Sequence, residues 1–347
     1  MKISSAQSDL NIPLIFSFVL MLTIINLKSA LACNLSADSH PKIIYDNPAD
    51  NCYDLSNHTV KFITTEPGVS LEVLDWGGTG EYIVLLTGLG DNAHVFDNFA
   101  YQFTDLFHVI GITRRGFGKS SKPEEGYSEE IRVRDYMSIL DQLNISKAVF
   151  IGHSIAGGEL NYIGTHYPDR VNKLVYLDGW DYGEHKHLAQ PPSLDFAESD
   201  LVTLNSFMAA LVRYNGYREP NSAICDTYTR DSDGKISGTV SPPEVAQKII
   251  MSSAVTDYSL ITAPVLGIFE KWNPETRLPF YHYLDSEKKA GYDEAWKILF
   301  DWRAGQMKRF KTEIKNSRAV EFSECYHYVF INREADCARE IRKFLAE

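Results

Sequence analysis

Continuous apolar runs alternate with amphipathic stretches over much of the chain. Runs bounded by glycine, proline or polar residues are typical of strands buried on both faces of a parallel sheet; they are Tyr82–Leu86, Phe107–Ile112, Ala148–Gly152, Val171–Leu177 and Ala263–Phe269. Helical patterns lie between or after them, beginning near Val95 and covering about 128–143, 292–314 and 335–345. This alternation predicts an α/β fold with a doubly wound, mostly parallel sheet.

The alternation of strands and helices changes near both ends of the pattern and between about residues 180 and 260. Val60–Thr64 and Ser70–Trp76 read as strands around a turn, and Ala319–Phe322 as a last short strand. Between about 180 and 260 the pattern becomes helical and rich in aromatic residues, with no clear strand. We therefore predict an N-terminal arm, a core in two parts and an inserted helical cap, with the bounds 33–59, 60–179 plus 261–347, and 180–260.

A serine lies at the centre of the chain, where the run ending at Gly152 meets a helical pattern. Ser154 follows the glycine by two residues, and the small residues Ala156, Gly157 and Gly158 come next. Small neighbours allow a strand and a helix to pass close together around a strained turn. The pattern predicts a nucleophilic serine at the apex of that turn, with the backbone N–H of Ile155 as an oxyanion donor.

The N-terminal segment is expected to lie outside the fold. Ile12–Ile25 is apolar and about as long as the core of a signal peptide, and Ala30-Leu31-Ala32 precedes Cys33. We interpret residues 1–32 as a cleaved export signal, with an uncleaved anchor as the alternative. The protein is then secreted or periplasmic, and it contacts a membrane only if the segment is retained or Cys33 is lipidated.

Export permits disulfide bonds among the cysteines. The spacing allows Cys33 to pair with Cys52 and Cys325 with Cys337, while Cys225 completes an odd total. No cysteine or histidine spacing typical of a metal site is present, so neither a metal nor another cofactor is expected.

Composition narrows the range of partners. The chain has 347 residues, 44% of them hydrophobic and 23% charged, which is ordinary for a globular protein. Its net charge is −12, and no basic stripe is present, so nucleic acid is not expected as a partner. A small-molecule substrate is expected instead, and the sequence does not indicate an oligomeric state.

Over residues 60–347 the chain resembles the α/β-hydrolase superfamily. The resemblance depends on motifs in series and on a late histidine, His327, before the final helix; the motifs are Asp75–Gly80, Leu86–Leu89, Arg115–Ser120 and Gly152-His153-Ser154. It implies that Ser154 is the nucleophile and His327 the base, and that the N–H of Leu89 joins that of Ile155 in the oxyanion hole. Arg115 is expected to support the oxyanion loop.

The third catalytic residue is left open by the resemblance. The superfamily often places the acid about nine residues after the start of the strand at Pro264, where this chain has Asn273. The end of the preceding strand, used by some branches, offers Asp178, which we choose, with Glu270 and Asp181 as alternatives.

The resemblance implies a cofactor-free serine hydrolase, similar to carboxylesterases, that cleaves a small apolar ester, lactone or related acyl compound. The alternative, favoured by Asn273, is a ligand-binding or receptor-like relative with little turnover. Cap aromatics are expected to be mostly cap core rather than pocket lining; they are Trp180, Tyr182, Phe196, Phe207, Tyr214 and Tyr217.

Overall fold

A computed structural model describes residues 52–183, 195–273 and 277–347. The predicted export segment 1–32 and most of the predicted arm lie outside these residues. The strands in chain order are β1 Thr59–Glu66, β2 Val69–Gly77, β3 Tyr82–Leu86, β4 His108–Ile112, β5 Ala148–His153, β6 Val171–Leu177, β7 Tyr228–Arg230, β8 Ile236–Thr239, β9 Val265–Glu270 and β10 Ser317–Phe322.

The main sheet has eight strands in the order β1-β2-β4-β3-β5-β6-β9-β10. The pairs β1/β2 and β2/β4 are antiparallel, and the remaining neighbours are parallel. This confirms the predicted mostly parallel sheet. It also brings the carboxyl ends of β3, β5, β6 and β9 to one edge, where the polar residues that follow those strands collect.

Helices cover both faces of the sheet and form most of the inserted segment. In chain order the helices of the described residues are α1 Glu129–Gln142, α2 Ala156–His166, α3 Leu204–Asn215, α4 Asn221–Thr227, α5 Pro243–Ser252, α6 Ser286–Glu313, α7 Val329–Asn332 and α8 Glu334–Leu345. Ser128 caps α1 by accepting a hydrogen bond from the N–H of Ile131, and acidic residues occupy the first turn. The helix predicted near Val95 is instead a pair of 3₁₀ segments, 93–96 and 99–102. Side chains of Asn92 and Thr113 satisfy its first N–H groups.

In the central strands, successive side chains point to opposite faces of the sheet, and each face has its own hydrophobic core. Val84 and Leu86 of β3 pack in the core that α1 and α2 cover. Ile83 and Leu85 pack in the opposite core, which α8 covers. Burial on both faces explains why these strands read as continuous apolar runs rather than as alternating patterns.

The inserted segment is less purely helical than predicted. It contains α3, α4 and α5, but β7 and β8 form an antiparallel hairpin among them. Phe207 of α3 packs on Tyr228 of β7. Strands of three and four residues are too short to show a two-residue period, which explains why the pattern did not predict them.

The disulfide pairing expected from spacing is wrong. Cys52 is bonded to Cys225 in α4, 173 residues away along the chain. Cys325 and Cys337 are free and buried, and their thiols lie near the backbone carbonyls of Phe322 and Val329. Proximity along the sequence did not indicate proximity in the fold, because Cys52 belongs to a segment that runs up to the cap.

Among the described residues, no helix combines the length and the apolar character needed to cross a membrane.

Two glycines test how closely α2 must approach the sheet edge. A Cβ on Gly157 in α2 would lie 2.5 Å from the backbone nitrogen of Trp180, whereas one on Gly305 in α6 would meet nothing within 4 Å. We expect Gly157→Ala to lower the free energy of unfolding by about 1–3 kcal/mol through overpacking. Gly305→Ala should raise it by about 0.5–1 kcal/mol because alanine is the better helix former. Chemical denaturation of both variants measures this, and an unchanged midpoint for Gly157→Ala would contradict the close packing.

Candidate active site

Ser154 occupies the turn between β5 and α2, as the sequence predicts. Its φ is 56°, in the left-handed region that is unusual for a residue with a side chain. The N–H of Ser154 donates to the carbonyl of Leu177 at 3.1 Å, and its own carbonyl accepts from Gly157 at 2.9 Å. The surrounding structure therefore fixes a strained backbone, and strain of this kind concentrates at functional sites.

Asp178 and His327 meet at the same sheet edge. Asp178 directly follows β6 and is fully buried, and its Oδ2 accepts a hydrogen bond from Nδ1 of His327 at 2.6 Å. His327 comes from the loop after β10. The acid chosen from the sequence is thus the carboxylate bonded to the candidate base, although its catalytic role remains a prediction.

Arg303 of α6 completes the surroundings of this carboxylate. Its guanidinium donates to Oδ1 of Asp178 at 2.5 Å and to the carbonyl of Glu270 at 3.0 Å. The N–H of Glu270 also donates to Oδ1 of Asp178, at 3.2 Å. Burial alone would raise the pKa of Asp178, but the charge of Arg303 and the bond from His327 hold that pKa below its usual value.

Sequence analysis did not identify Arg303 as a functional residue. It lies 125 residues from Asp178, inside a long amphipathic helix where arginine is common. Its guanidinium is 4.7 Å from the ring centre of Trp180 and 4.2 Å from that of Trp272, between two aromatic rings. These contacts stabilise a cation that is 4% exposed.

The two alternative acids occupy other environments. Burial raises the pKa of Glu270 well above its usual value, against the opposing charge of Arg303. Asp181 accepts from the N–H of Thr256 at 2.8 Å and from Arg309 at 3.1 Å, which fastens the start of the inserted segment. Nδ1 of His327 is paired with neither of them.

The other ring nitrogen of His327, Nε2, is not hydrogen-bonded to Oγ of Ser154. Nε2 is buried and has no hydrogen-bond partner within the described part of the chain. Burial lowers the pKa of His327 to about 4, and the bond to Asp178 opposes that shift only in part. Because an ionised carboxylate can only accept a hydrogen bond, Nδ1 carries the proton of the neutral imidazole, and the lone pair lies on Nε2, as a general base requires.

The oxyanion loop after β3 is held by an arginine, but not by the one expected. Arg114 donates to the carbonyls of Thr87 and Gly88 at 2.6 and 2.8 Å. Arg115 instead bonds Asp135 of α1 at 2.6 Å and contacts β1. The expectation for Arg115 was therefore wrong by one position, because adjacent residues leaving a strand point to opposite sides.

Arg114 also links this loop to the serine helix. It donates to both oxygens of Glu159 in α2, at 2.6 and 2.9 Å. Leu89 follows the two restrained carbonyls, and Ile155 lies at the first residue before α2, where N–H groups carry partial positive charge. Both are buried, and their role as oxyanion donors stays a prediction.

Most of the candidate pocket aromatics are packed as core. Trp180 stacks on Phe269 at 4.4 Å, and Tyr217 stacks on Tyr328 at 4.3 Å; Phe196 contacts both Phe207 and Tyr214. Tyr182 differs, because its hydroxyl lies 3.4 Å from Oγ of Ser154. Ser154 is fully buried and His327 nearly so, which means that a substrate reaches Oγ only after neighbouring groups move.

Comparison with known proteins connects this geometry to a family. A family model described as alpha/beta hydrolase fold matches residues 81–334. The putative carbamate hydrolase RutD of Caulobacter segnis is 32% identical over 119 residues, which cover 33% of this chain and 45% of that protein. The 2-(acetamidomethylene)succinate hydrolase of Mesorhizobium japonicum is 28% identical over 197 residues, which cover 54% of this chain and 70% of that protein.

Solved structures share the fold more widely than the sequence. The E-2-(acetamidomethylene)succinate hydrolase structure matches with a TM-score of 0.60 at 18% identity, covering 84% of this chain and 100% of that one. The enol-lactonase from Burkholderia xenovorans matches with a TM-score of 0.55 at 16% identity, covering 83% and 100%. At these identities the likeness concerns the fold alone.

Substitution of the two neighbouring carboxyl groups tests which of them serves His327. With an activated ester as substrate, we expect Asp178→Asn to lower kcat/KM by about 10⁴-fold, because the imidazole loses its charge partner and its tautomer. Glu270→Gln should change kcat/KM by less than about 10-fold, because His327 is bonded to Asp178 and glutamine keeps the size of the Glu270 side chain. Thermal melting of each variant checks folding, and a larger loss for Glu270→Gln would move the acid to β9.

Proposed function

The chain belongs to the α/β-hydrolase fold family, and on that premise we propose that it is a serine hydrolase that cleaves a small apolar ester, lactone or related acyl compound through an acyl-enzyme. The observation that carries the proposal is the 2.6 Å hydrogen bond from His327 to Asp178, together with Ser154 at a strained strand-to-helix turn. A serine at this turn favours acyl transfer.

In the proposed reaction the same groups act in acylation and again in deacylation. Nε2 of His327 accepts the Oγ proton as Ser154 attacks the acyl carbon, and the N–H groups of Leu89 and Ile155 stabilise the oxyanion. Asp178 stabilises the imidazolium, which then gives its proton to the leaving group. Water, deprotonated by His327, attacks the acyl-enzyme, and the proton returns to Oγ.

The burial of Ser154 and the aromatic side chains near it support a small and rather apolar substrate. Oγ of Ser154 is enclosed, and Tyr182 and Trp180 lie beside the sheet edge. Among the similar proteins, one is named a 2-(acetamidomethylene)succinate hydrolase, and hydrolysis of such a compound is acyl chemistry. Ester, lactone and amide hydrolysis share a tetrahedral intermediate, so the same groups serve each of them.

The binding-protein alternative loses its main support. It was favoured by Asn273 at a position where an acid is common in this fold, which left the base without a carboxylate. His327 has a carboxylate partner from a different strand, Asp178. A protein that only binds a ligand has no need of a base that is paired in this way.

Removal of the nucleophile is the direct test. Ser154→Ala should abolish hydrolysis of p-nitrophenyl esters and covalent labelling by a fluorophosphonate, because no other group can form the acyl-enzyme. The buried hydroxyl makes few contacts, so the melting temperature should stay close to that of the unchanged protein. Esters of increasing chain length would then report the acyl length that the site admits.

Two results would contradict the proposal. Hydrolysis retained in Ser154→Ala would exclude this serine as nucleophile. A folded protein that neither hydrolyses esters nor reacts with the fluorophosphonate would support the ligand-binding alternative instead.

The acid limb of the pH profile follows from the pKa of His327. The base must be neutral, and burial lowers its pKa to about 4. We therefore expect kcat/KM for a neutral ester to stay constant from neutral pH down to about pH 5 and to fall through about pH 4, where the imidazole gains a proton. Buffer-matched rate measurements, with stopped assays on the acid side, check this. An apparent pKa near the ordinary value of histidine would contradict the buried environment.

A further inference from the structure

A group of histidines and carboxylates lies where the first described residues run beside the loop after β3. Asp54 and His58 come from the segment before β1, and His94 and Asp97 from the 3₁₀ turn after β3. One nitrogen or oxygen atom from each of these four side chains lies within 4.8 Å of the corresponding atoms of the other three. We call this group the His58/His94 cluster.

The spacing inside the cluster is regular. Nε2 and Nδ1 of His58 lie 3.1 Å from Asp54 and 3.3 Å from Asp97, and Nδ1 of His94 lies 3.4 Å from Asp54 and 3.1 Å from Asp97. Ligands about 2.0 Å from a tetrahedral zinc ion are separated by roughly 3.3 Å. The contacts of Asp54 with His58 and His94, and of His94 with Asp97, therefore suit one zinc ion bound by Nε2 of His58, Nδ1 of His94 and one oxygen of each aspartate. The 3.3 Å contact of Asp97 involves the other nitrogen of His58.

Several close contacts in the cluster lack hydrogen-bond geometry. Nδ1 of His58 and Oδ1 of Asp97 are buried 3.3 Å apart, and Nε2 of His94 lies 3.4 Å from Asp226 and 4.0 Å from Oε1 of Glu72, yet within the described residues none of these atoms makes a hydrogen bond. The side chains of His94 and Glu72 are 2% and 0% exposed. Buried polar atoms that make no hydrogen bond are rare in proteins and cost free energy. A cation shared by these side chains would compensate part of that cost.

Groups around the cluster hold it in shape. Asp97 accepts a hydrogen bond from the hydroxyl of Ser222 in α4 at 2.8 Å. The Cys52–Cys225 disulfide lies two residues before Asp54 and next to Asp226, whose carboxylate is 3.4 Å from Nε2 of His94 and is also paired with Lys119. Outer partners of this kind orient metal ligands. Asp54, with a side chain that is 31% exposed, leaves an opening to solvent.

We propose that Asp54, His58, His94 and Asp97 bind one zinc ion. Two imidazoles and two carboxylates are the donors that suit tetrahedral zinc, whereas calcium and magnesium prefer sites made of oxygen alone. Four protein ligands leave no open position, so the ion is structural and joins the N-terminal segment to the core beside α4. The site is separate from Ser154 and does not depend on the proposed hydrolase activity.

The test uses the tag-free full chain after removal of metal with a chelator. Titration with zinc against a chromophoric chelator should give one tightly bound ion per chain, and zinc should raise the melting temperature. Calcium and magnesium at the same concentration should change neither quantity.

Two substitutions and a matched control identify the ligands. His58→Gln and Asp54→Asn each remove one ligand, and we expect each to weaken zinc binding at least 10-fold and to abolish the thermal shift. Asp54→Asn lies at the exposed rim, so it keeps the test valid if His58→Gln fails to fold. His108→Gln is the control, because His108 forms a comparable 2.8 Å contact with Asp75 outside the cluster; it should bind zinc as the unchanged chain does.

Absence of zinc binding by the folded, unchanged chain would overturn the proposal and leave the cluster as hydrogen-bonded ion pairs. Unaltered zinc affinity in the folded Asp54→Asn and His58→Gln variants would also overturn it, by placing any bound ion elsewhere.

Discussion

The buried carboxylate of Glu159 is the interaction on which the candidate active site depends. Glu159 is fully buried in α2 and receives hydrogen bonds from Arg114 after β4, from Arg132 in α1 and from the hydroxyl of Tyr136 in α1. Breaking a buried ion pair by removing one partner costs about 3–5 kcal/mol. The sheet, α1 and the serine helix are therefore held in one relative position, and through Arg114 so is the loop that carries Leu89.

A second buried carboxylate is likewise surrounded by hydrogen-bond donors. Asp178 keeps its charge because Arg303, His327 and the N–H of Glu270 surround it. The pKa of Glu270, which is near the same arginine, is instead raised well above its usual value. Both oxygens of Asp178 accept hydrogen bonds, whereas Oε2 of Glu270 accepts none within the described residues, so burial dominates the pKa of Glu270.

The features that the sequence predicted are those determined by residues close together in the chain. The buried strands, the serine turn after Gly152 and a helix beginning near residue 128 were all predicted, because each depends on neighbouring residues. Arg303, the Cys52–Cys225 bond and the His58/His94 cluster were not, because each joins segments far apart in the chain. The choice of Asp178 came from family resemblance, since aspartate after a strand carries no distinctive local pattern.

The Cys52–Cys225 bond also constrains the order in which the protein matures. It closes a covalent ring of about 170 residues. By chain-entropy reasoning the bond stabilises the fold by roughly 5 kcal/mol, because it lowers the conformational entropy of the unfolded chain. The ring encloses β1 to β6 and the serine turn, so it can be sealed only after all of these have been synthesised. Any assembly of the central strands during translation therefore proceeds without that covalent support.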